Sequence, residues 1–569
     1  MGTERFCSQP RHLAGALRHW VCSVALVVGS ITLHAQTAPA TYWIQFTDKS
    51  NTPYSVAAPE QFLSQRALDR RQRQGIAIDD SDLPVDPAYV SALLAAGDIE
   101  LVNVSKWFNA VTIRSTDTLA LDTLGELPFV QQMRATGGAH QRDVATGKFP
   151  EFLKQEIGDV YATRYGASFR QIEMMNGHLL HEEGARGEGM LIGVLDSGFD
   201  QADSLTTFAD LRARSGIVLT RDMAYHDGDV YSDHYHGRSV LSCMAGHWPG
   251  KLLGTAPMAD YVLLRTEVSE NEYIWEEDNW VAGAELCDSL GCDVLNTSLG
   301  YTQFDDSTTD HTYADMNGRT TRISIAATMA ARKGMIPVNS AGNSGNNEWH
   351  FISAAADADS ILAVGAVDNA RQPAFFSSFG PSADGRVKPD VAAVGFGAIG
   401  LGSDGLHVQP INGTSFSGPI TCGLVACLWQ MHPDRSGQEI IHAVRNSASR
   451  HNDPDDRVGY GIPDFYRAHL LLGGTDRTNL EGNFIFGAYP SPFNDHFQVE
   501  LFTGAAVELE LELVDAMGRI AWVGNDVLDP MTYQIIRVGD GRLIALPAGA
   551  YVLRLRLGSF TDETVVVKE

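Results

Sequence analysis

The sequence is poor in cysteine and in positive charge. It has 7 cysteines among 569 residues, and 42 Lys+Arg against 70 Asp+Glu give a formal net charge of −28. A surface of that sign repels nucleic acid and anionic membranes, so neither class of partner is expected. The five cysteines beyond residue 36 show no metal-type spacing. We therefore expect buried thiols, although one disulfide could form in an oxidising compartment.

No apolar run long enough to span a membrane follows residue 33, since a spanning helix needs about 20 apolar residues. The run Trp20–Leu33 is itself short, follows three arginines and precedes the small residue Ala35. That pattern is typical of a secretory signal peptide. We predict a signal peptide over residues 1–36 and no membrane span after its cleavage, with an uncleaved anchor as the alternative.

The chain is too long for one hydrophobic core, and three regions of different pattern follow the N-terminal segment. Residues 37–150 mix strand-like and helix-like runs and predict an α+β domain. Residues 151–475 alternate continuous apolar strands with helices, which predicts an α/β domain with a mainly parallel sheet. Residues 484–569 alternate apolar and charged side chains with period two, typical of a β-sandwich, and 476–483 form a linker. The strands predicted in the α/β region are Met190–Leu195, Tyr261–Leu264, Asp293–Asn296, Met335–Asn339 and Ile361–Val367.

Three polar motifs lie at the ends of predicted elements of the α/β region. Asp196 ends an apolar strand, and His236 opens a helix. Ser415 lies at the start of the apolar helix Ile420–Met431, with Pro419 in the first turn, where its missing N–H costs little. Each motif alone has a common structural explanation, such as a turn, a solvated helix end or an N-cap.

Other histidines compete for the same roles. His234 lies two residues before His236 and is an alternative base. His226 and His247 could join these two around a metal ion. No acidic or thiol ligand completes a recognisable set, so we predict no metal site there.

In the chain order Asp196, His236, Ser415, the three motifs resemble the catalytic triad of the subtilase family of serine peptidases. The resemblance implies a subtilisin-like three-layer domain, a serine endopeptidase and a protein or peptide substrate. It implies no cofactor, because the triad requires none. Further segments that resemble parts of the family are Asn296–Gly300, Ser340–Gly345, Phe376–Pro381 and Lys388–Val391.

The resemblance also implies a role for each residue. His236 would take the proton of Ser415 while Asp196 orients the imidazole, and Asn343 would form the oxyanion hole with the Ser415 backbone N–H. Arg238 departs from the family, which usually has Thr there, and a lost helix-start hydrogen bond is the expected cost. The substrate-binding residues implied are Ser298, Leu299, Gly300, Ser340, Ala341 and Gly342.

The flanking regions resemble other parts of such precursors. Residues 37–150 resemble a subtilase propeptide, above all at Lys106–Val111, which implies inhibition until cleavage. Residues 484–569 resemble the sorting domain of the type IX secretion system, and an ordinary accessory β-sandwich is the alternative. Sorting implies a secretion-machinery partner and export through the periplasm of a Gram-negative bacterium to the surface or medium. The segments that carry this resemblance are Tyr489–Asn494, Asp515–Arg519, Leu546–Leu553 and Val565–Glu569.

Two acidic segments and two alternative functions stay open. Asp305, Asp306, Asp310, Asp315 and Asn317 could hold a structural calcium ion or form a solvated loop. The carboxylates from Glu267 to Asp278 could border the substrate groove and favour Lys or Arg, or could face solvent on the next helix.

A catalytically inactive binding module and a peptide ligase are the other functions that this fold could serve. Retention of Asp196, His236, Ser415 and Asn343 argues against the binding module.

Overall fold

A computed structural model describes residues 41–137, 148–149, 164–474, 483–489, 491–503, 507–528, 532–558 and 560–569. The predicted signal peptide and residues 476–482 of the predicted linker lie outside these residues. Within the described ranges, no helix combines the length and the apolar character needed to cross a membrane.

The N-terminal domain is a four-stranded antiparallel sheet with helices packed against it, so the predicted α+β organisation is confirmed. Its strands follow the order β2-β3-β1-β4. Ser64 and Asp117 accept hydrogen bonds from the first backbone N–H groups of α1 and α3 and so set where these helices begin. The elements are β1 (Thr41–Phe46), α1 (Gln65–Arg73), α2 (Pro87–Leu94), β2 (Glu100–Ser105), β3 (Ala110–Arg114), α3 (Thr118–Gly125) and β4 (Val130–Gly137).

The central domain is the predicted α/β domain. Its first half contains α4 (Phe169–Glu173), α5 (Gly177–Glu182), β5 (Leu191–Asp196), α6 (Ala209–Ala213), β6 (Ile217–Asp222), α7 (His236–Ala245), β7 (His247–Trp248), β8 (Leu252–Leu253), β9 (Asp260–Arg265) and α8 (Trp275–Leu290). Its second half contains β10 (Val294–Thr297), α9 (Arg322–Arg332), β11 (Ile336–Ser340), β12 (Leu362–Val367), β13 (Val391–Val394), β14 (Phe396–Leu401), β15 (Val408–Asn412), α10 (Thr414–Met431), α11 (Gly437–Asn446) and α12 (Phe465–Leu471).

The centre of this domain is a seven-stranded sheet in the order β13-β12-β11-β10-β5-β9-β6, and each neighbouring pair is parallel. Alternate residues of β5 point to opposite faces: Ile192 and Val194 pack with α7 and α10, while Leu191 and Leu195 pack with α8 and α9. The domain therefore has three layers. The five predicted strands are all present, and the loops after their carboxyl ends meet at one edge.

The sequence prediction omitted two strands of the sheet, β6 and β13. Strand β6 lies at one edge and is largely half-exposed, so it lacks a continuous apolar run. Strand β13, at the other edge, is buried but only 4 residues long. Strand β6 thus lacks the apolar content of a buried strand, and the two alanines of the short β13 give it a low strand propensity.

The C-terminal domain consists of antiparallel strands in two sheets, β16-β17-β20 and β19-β18-β21-β22. Side chains of both sheets, among them Val499, Leu511 and Leu553, share one core, as predicted for a sandwich. Charged side chains pair across these strands, since Arg554 lies 3.2 Å from Glu512. The elements are β16 (Asn483–Tyr489), β17 (Phe497–Thr503), β18 (Val507–Val514), β19 (Ile520–Leu528), β20 (Thr532–Val538), α13 (Gly541–Ile544), β21 (Gly549–Leu557) and β22 (Phe560–Lys568).

Candidate active site

Asp196 and His236 meet at the carboxyl edge of the central sheet. Asp196 is the buried last residue of β5, and His236 is the first residue of α7. The Nδ1 atom of His236 lies 2.7 Å from Oδ1 of Asp196, which also accepts the Ser197 backbone N–H at 2.8 Å. Gly237 permits this approach, because a Cβ there would lie 2.4 Å from the Gly198 carbonyl oxygen. The carboxylate is therefore placed to orient the imidazole.

Ser415 lies at the start of α10, immediately after the turn at Gly413, whose φ of +145° favours glycine. Its Oγ donates to the Ser298 carbonyl oxygen at 3.4 Å. Among the described residues, His236 is not a hydrogen-bond partner of this hydroxyl. Proton transfer to His236 therefore requires Ser415 Oγ to leave that contact, as is common for catalytic groups without bound substrate.

Helix α10 begins at Thr414, ahead of the predicted apolar run. Pro419 therefore lies in the second turn, so the prediction that it occupies the first turn is wrong. Because Pro419 has no N–H, the Ser415 carbonyl lacks its helical donor, and Ser298 Oγ donates to it at 2.9 Å. Ser340 Oγ likewise donates to the Thr414 carbonyl at 2.9 Å. Both serine side chains thus anchor the helix that carries Ser415, a function that the sequence analysis missed.

The side chain of Asn343 is held by one end. Its Oδ1 accepts from the Thr414 backbone N–H at 2.8 Å and from Thr414 Oγ1 at 3.0 Å. Its Nδ2 lies beside the turn before the nucleophile, since a Cβ at Gly413 would be 3.7 Å from it. The amide N–H groups are thus left for a ligand next to Ser415, as an oxyanion donor requires.

Most of the predicted residues line one cleft of about 190 Å³. Asp196 lies behind His236, and Ala341 is buried in a small apolar cluster behind the wall. The predicted residues that line the cleft itself are His236, Ser298, Leu299, Gly300, Ser340, Gly342, Asn343 and Ser415.

His234 supports the turn that carries Asp196. Its Nδ1 lies 3.0 Å from Ser197 Oγ and 3.3 Å from the His236 backbone nitrogen. Burial, assisted by the charge of His236, lowers the pKa of His234 to about 4. Because His236 contacts the carboxylate and His234 does not, the geometry favours His236 as the base.

The four histidines considered as alternative metal ligands do not form one cluster. His247 Nδ1 pairs with Asp210 at 2.5 Å, and His226 lies on an exposed turn. Carboxylates of the segment 305–317 accept hydrogen bonds from nearby backbone N–H groups. The pairs are Glu272 to Asp305, Thr308 to Asp306, Phe304 to Asp310 and Thr312 to Asp315. A calcium ion and a solvated loop stay the two alternative predictions for this segment.

Arg238 is fully buried and makes long-range contacts. Its guanidinium donates to Asp200 Oδ2 at 2.7 Å and to the carbonyls of Gly402 and Ser403 at 3.0 and 2.7 Å. The residue before α7, Tyr235, provides no side-chain cap. Arg238 therefore joins two loops instead of capping the helix.

The N-terminal domain docks on α8. Glu285 accepts hydrogen bonds from Ser105 Oγ at 2.5 Å, from the Lys106 N–H at 2.7 Å and from the Trp107 N–H at 3.0 Å. One turn later, Asp288 contacts the cationic side chains of Arg70, Arg71 and Lys106. We call these four residues the docking cluster. The distances to Asp288 are 2.6 Å for Arg70, 2.8 Å for Arg71 and 3.1 Å for Lys106.

A second contact reaches the cleft itself. The ring of Phe149 lies 4.5 Å from the His236 ring, centroid to centroid. The preceding residue, Lys148, inserts its ammonium group among Glu267, Glu272 and Glu276, which we call the carboxylate pocket. The chain just beyond the N-terminal domain thus occupies the cleft.

A three-layer fold with aspartate, histidine and serine at one sheet edge defines a serine peptidase of the subtilisin type. Residues 187–461 match the model of the subtilase family, and residues 41–148 match that of the peptidase S8 propeptide domain of Bacteroidota. Residues 187–461 therefore form a subtilase-family serine endopeptidase domain preceded by its propeptide, and the propeptide implies a zymogen.

The chain is also similar to individual proteins. The serine protease AprX of Bacillus subtilis is 26% identical over 340 residues, which are 54% of this chain and 71% of that protein. Subtilisin DY of Bacillus licheniformis is 25% identical over 285 residues, 50% of this chain and 92% of that protein. The crystal structure of MycP1 from Mycobacterium smegmatis aligns with a TM-score of 0.42 at 22% identity, covering 58% of this chain and 89% of that one.

Proposed function

We propose that this chain is the precursor of a secreted endopeptidase that hydrolyses peptide bonds through Asp196, His236 and Ser415, with Asn343 in the oxyanion hole. The observation that carries the proposal is the 2.7 Å contact between His236 and Asp196 in the cleft that also contains Ser415 and Asn343. The proposed boundaries are a signal peptide at 1–36, a propeptide at 37–150, a peptidase domain at 151–475, a linker at 476–483 and a sorting domain at 484–569.

The chemistry follows from these positions. Ser415 Oγ attacks the substrate carbonyl carbon while its proton passes to Nε2 of His236, and Asp196 stabilises the resulting imidazolium. The negative charge on the carbonyl oxygen is met by the amide of Asn343 and the Ser415 backbone N–H at the positive end of α10. His236 then gives the proton to the leaving amine, and water hydrolyses the acyl-enzyme by the same route.

Product analysis separates the three candidate functions. The full-length chain is expressed, its processed form is isolated, and a peptide library is analysed by mass spectrometry. An endopeptidase gives two fragments from each cleaved peptide. Joined peptides would instead identify a ligase, and intact peptides would identify an inactive binding module.

Export rests on the two ends of the chain. The N-terminal pattern supports a signal peptide, and the motifs of residues 484–569 support type IX sorting to the surface or medium through the periplasm. Since sorting and catalysis are assigned to separate domains, deleting residues 484–569 is expected to leave an active protease in the periplasm. Normal amounts of the truncated enzyme in the medium would contradict the sorting role.

A further inference from the structure

The carboxylate pocket adjoins the catalytic residues. Glu267 follows β9, and Glu276 lies in the first turn of α8; both are fully buried, and Glu272 is half-buried between them. One carboxylate oxygen from each lies within 4.8 Å of the others. Glu267 and Glu272 line the same cleft as His236 and Ser415.

Lys148 enters this pocket as a ligand would. Its ammonium group pairs with Glu267 and lies 3.1 Å from Glu272 Oε2 and 3.0 Å from Glu276 Oε1. The carbonyl oxygens of Val268 and Asn271 lie 3.4 and 3.3 Å from it. Its donors are therefore met by five oxygen-bearing groups, a coordination that only a cation can exploit.

The pocket is built by the peptidase domain alone. The carboxylate of Glu276 accepts the Val268 N–H at 2.7 Å and the Tyr273 N–H at 2.9 Å, so its position does not depend on the propeptide. Glu267, in contrast, finds no hydrogen-bond donor in the described part of the chain apart from its ion pair with Lys148. Burial raises the pKa of Glu267, and Lys148 opposes that shift.

The other acidic residues of α8 are already paired. Glu277 lies 2.6 Å from His311, and Asp278 lies 2.6 Å from Arg322. Both are buried, so the interpretation that the charges of this helix face solvent is wrong for them. Glu267, Glu272 and Glu276 are thus the carboxylates of this segment that can pair with a cation of the substrate. Their cationic partner in the described part of the chain is Lys148.

We propose that the mature enzyme binds a lysine or arginine side chain of its substrate in the carboxylate pocket, with Lys148 as the internal copy of that residue. The inference rests on the proposed peptidase function. The propeptide match ends at Lys148, so a cleavage at or beyond this residue places Lys148 on the acyl side of the broken bond. When the propeptide leaves, the three carboxylates lose this cation, and a basic substrate residue restores the pairing.

The direct test uses processed enzyme from the full-length chain. Fluorogenic peptides are identical except for Lys, Arg, norleucine or Glu at one of the first four acyl-side positions. At one position, we expect kcat/KM to be about 10- to 100-fold higher for Lys and Arg than for norleucine, because charged hydrogen bonds in a buried site discriminate strongly. Equal rates for all four would overturn the inference and leave the peptidase intact, whereas cleavage of none would overturn the proposed function itself.

Variants assign the selectivity to the pocket. Glu267→Gln is expected to reduce the Lys-to-norleucine ratio to near one, while the exposed Glu270→Gln is the matched control and keeps the ratio. If Glu267→Gln fails to mature, the half-buried Glu272→Gln replaces it and should lower the ratio in part. An unchanged ratio in the pocket variants would contradict the assignment, as would a Lys preference that appears or vanishes with added calcium or EDTA, since the pocket would then hold a metal ion.

The precursor offers an independent readout. Lys148→Arg keeps the charge and should be processed at the wild-type rate, whereas Lys148→Glu places a fourth carboxylate in the pocket and should slow processing at least about 10-fold. Processing is measured by gel electrophoresis. Equal processing rates of the two variants would overturn the role of Lys148.

Discussion

Two ion clusters, each with one carboxylate on helix α8, hold the propeptide in opposite ways. In the docking cluster, one carboxylate, Asp288, contacts Arg70, Arg71 and Lys106. Burial would raise the pKa of Asp288, but Lys106 and the two arginines outweigh it and lower the pKa. In the carboxylate pocket the ratio is reversed, with one ammonium group among three carboxylates.

The difference separates a docking contact from a binding site. The described partners of the Asp288 carboxylate all belong to the propeptide, so this cluster exists only in the complex. Glu276 is held by backbone N–H groups of the peptidase domain, so the pocket persists when its lysine leaves. At the C-terminal end of α8, the propeptide supplies the cations that complete the docking cluster. At the N-terminal end, Lys148 of the propeptide occupies the carboxylate pocket of the peptidase domain.

Removing the chemistry has the largest expected effect and leaves both clusters in place. Ser415→Ala or His236→Ala should abolish hydrolysis and processing, because in subtilisin either loss lowers turnover on the order of 10⁶-fold. Turnover of a peptide substrate and the size of the precursor on a gel measure both. His234→Ala is the control and should keep measurable turnover; the reverse ranking of the two histidines would contradict the choice of His236 as base.

Breaking the docking cluster should come next in size. Asp288→Asn removes the carboxylate that Arg70, Arg71 and Lys106 share. Arg71 keeps its pair with the buried Asp82 at 2.9 Å, and breaking a buried pair costs about 3–5 kcal/mol. The cleaved propeptide should therefore bind its enzyme roughly 10²- to 4 × 10³-fold more weakly. The loss of inhibition on dilution of the processed complex measures this affinity.

Arg66→Ala is the control for the docking cluster. Its side chain is 40% exposed where it contacts Asp293 and the carbonyl oxygens of Gly189 and Gly291. Solvent screens these contacts, so its removal should weaken the affinity less than Asp288→Asn does. Equal effects of the Arg66 and Asp288 variants would show that buried pairing does not govern docking.

The oxyanion hole can be changed without touching either cluster. Asn343→Leu removes the amide donor and should lower kcat by about 10²–10³-fold with little change in KM. It also removes the Oδ1 contacts to Thr414, so Asn343→Asp, which keeps an acceptor there, serves as a second variant. Leu at the exposed Asn347 is the control, and a loss confined to KM would indicate substrate binding instead.

Exposed ion pairs should matter least. Arg554 pairs across strands with Glu512 and Glu563 on the open face of the C-terminal domain. Solvent and salt screen such pairs, so Arg554→Ala should leave turnover and the midpoint of thermal unfolding unchanged. A clear drop in that midpoint would contradict the claim that exposed ion pairs contribute much less than buried ones.

Local patterns predicted the elements well, and the candidate triad came from the resemblance of its three motifs to the subtilase family. The five continuous apolar runs are strands of the central sheet, because buried parallel strands carry that pattern. The order of Asp196, His236 and Ser415 sufficed to propose one site. The start of α10 was misplaced, because its first turn is polar and its interior contains Pro419, which argues against a helix in isolation.

The contacts between distant segments could not be predicted from pattern alone. Lys148 and Glu276 are 128 positions apart, and Arg70 and Asp288 are 218 apart. Nothing in the composition of either segment specifies its partner, since the pairing depends on how the propeptide sheet docks on α8. For the same reason the sequence suggested groove-facing carboxylates but did not identify which three of them meet.

Active-site labelling tests the central claim most directly. The processed enzyme is treated with a fluorophosphonate, which reacts with activated serine hydroxyls, and the labelled peptide is identified by mass spectrometry. We expect the label on Ser415, none in Ser415→Ala, and a much slower reaction in His236→Ala. Absence of labelling in the processed wild-type enzyme, or a label on another serine, would contradict the assignment of Asp196, His236 and Ser415 as the catalytic triad.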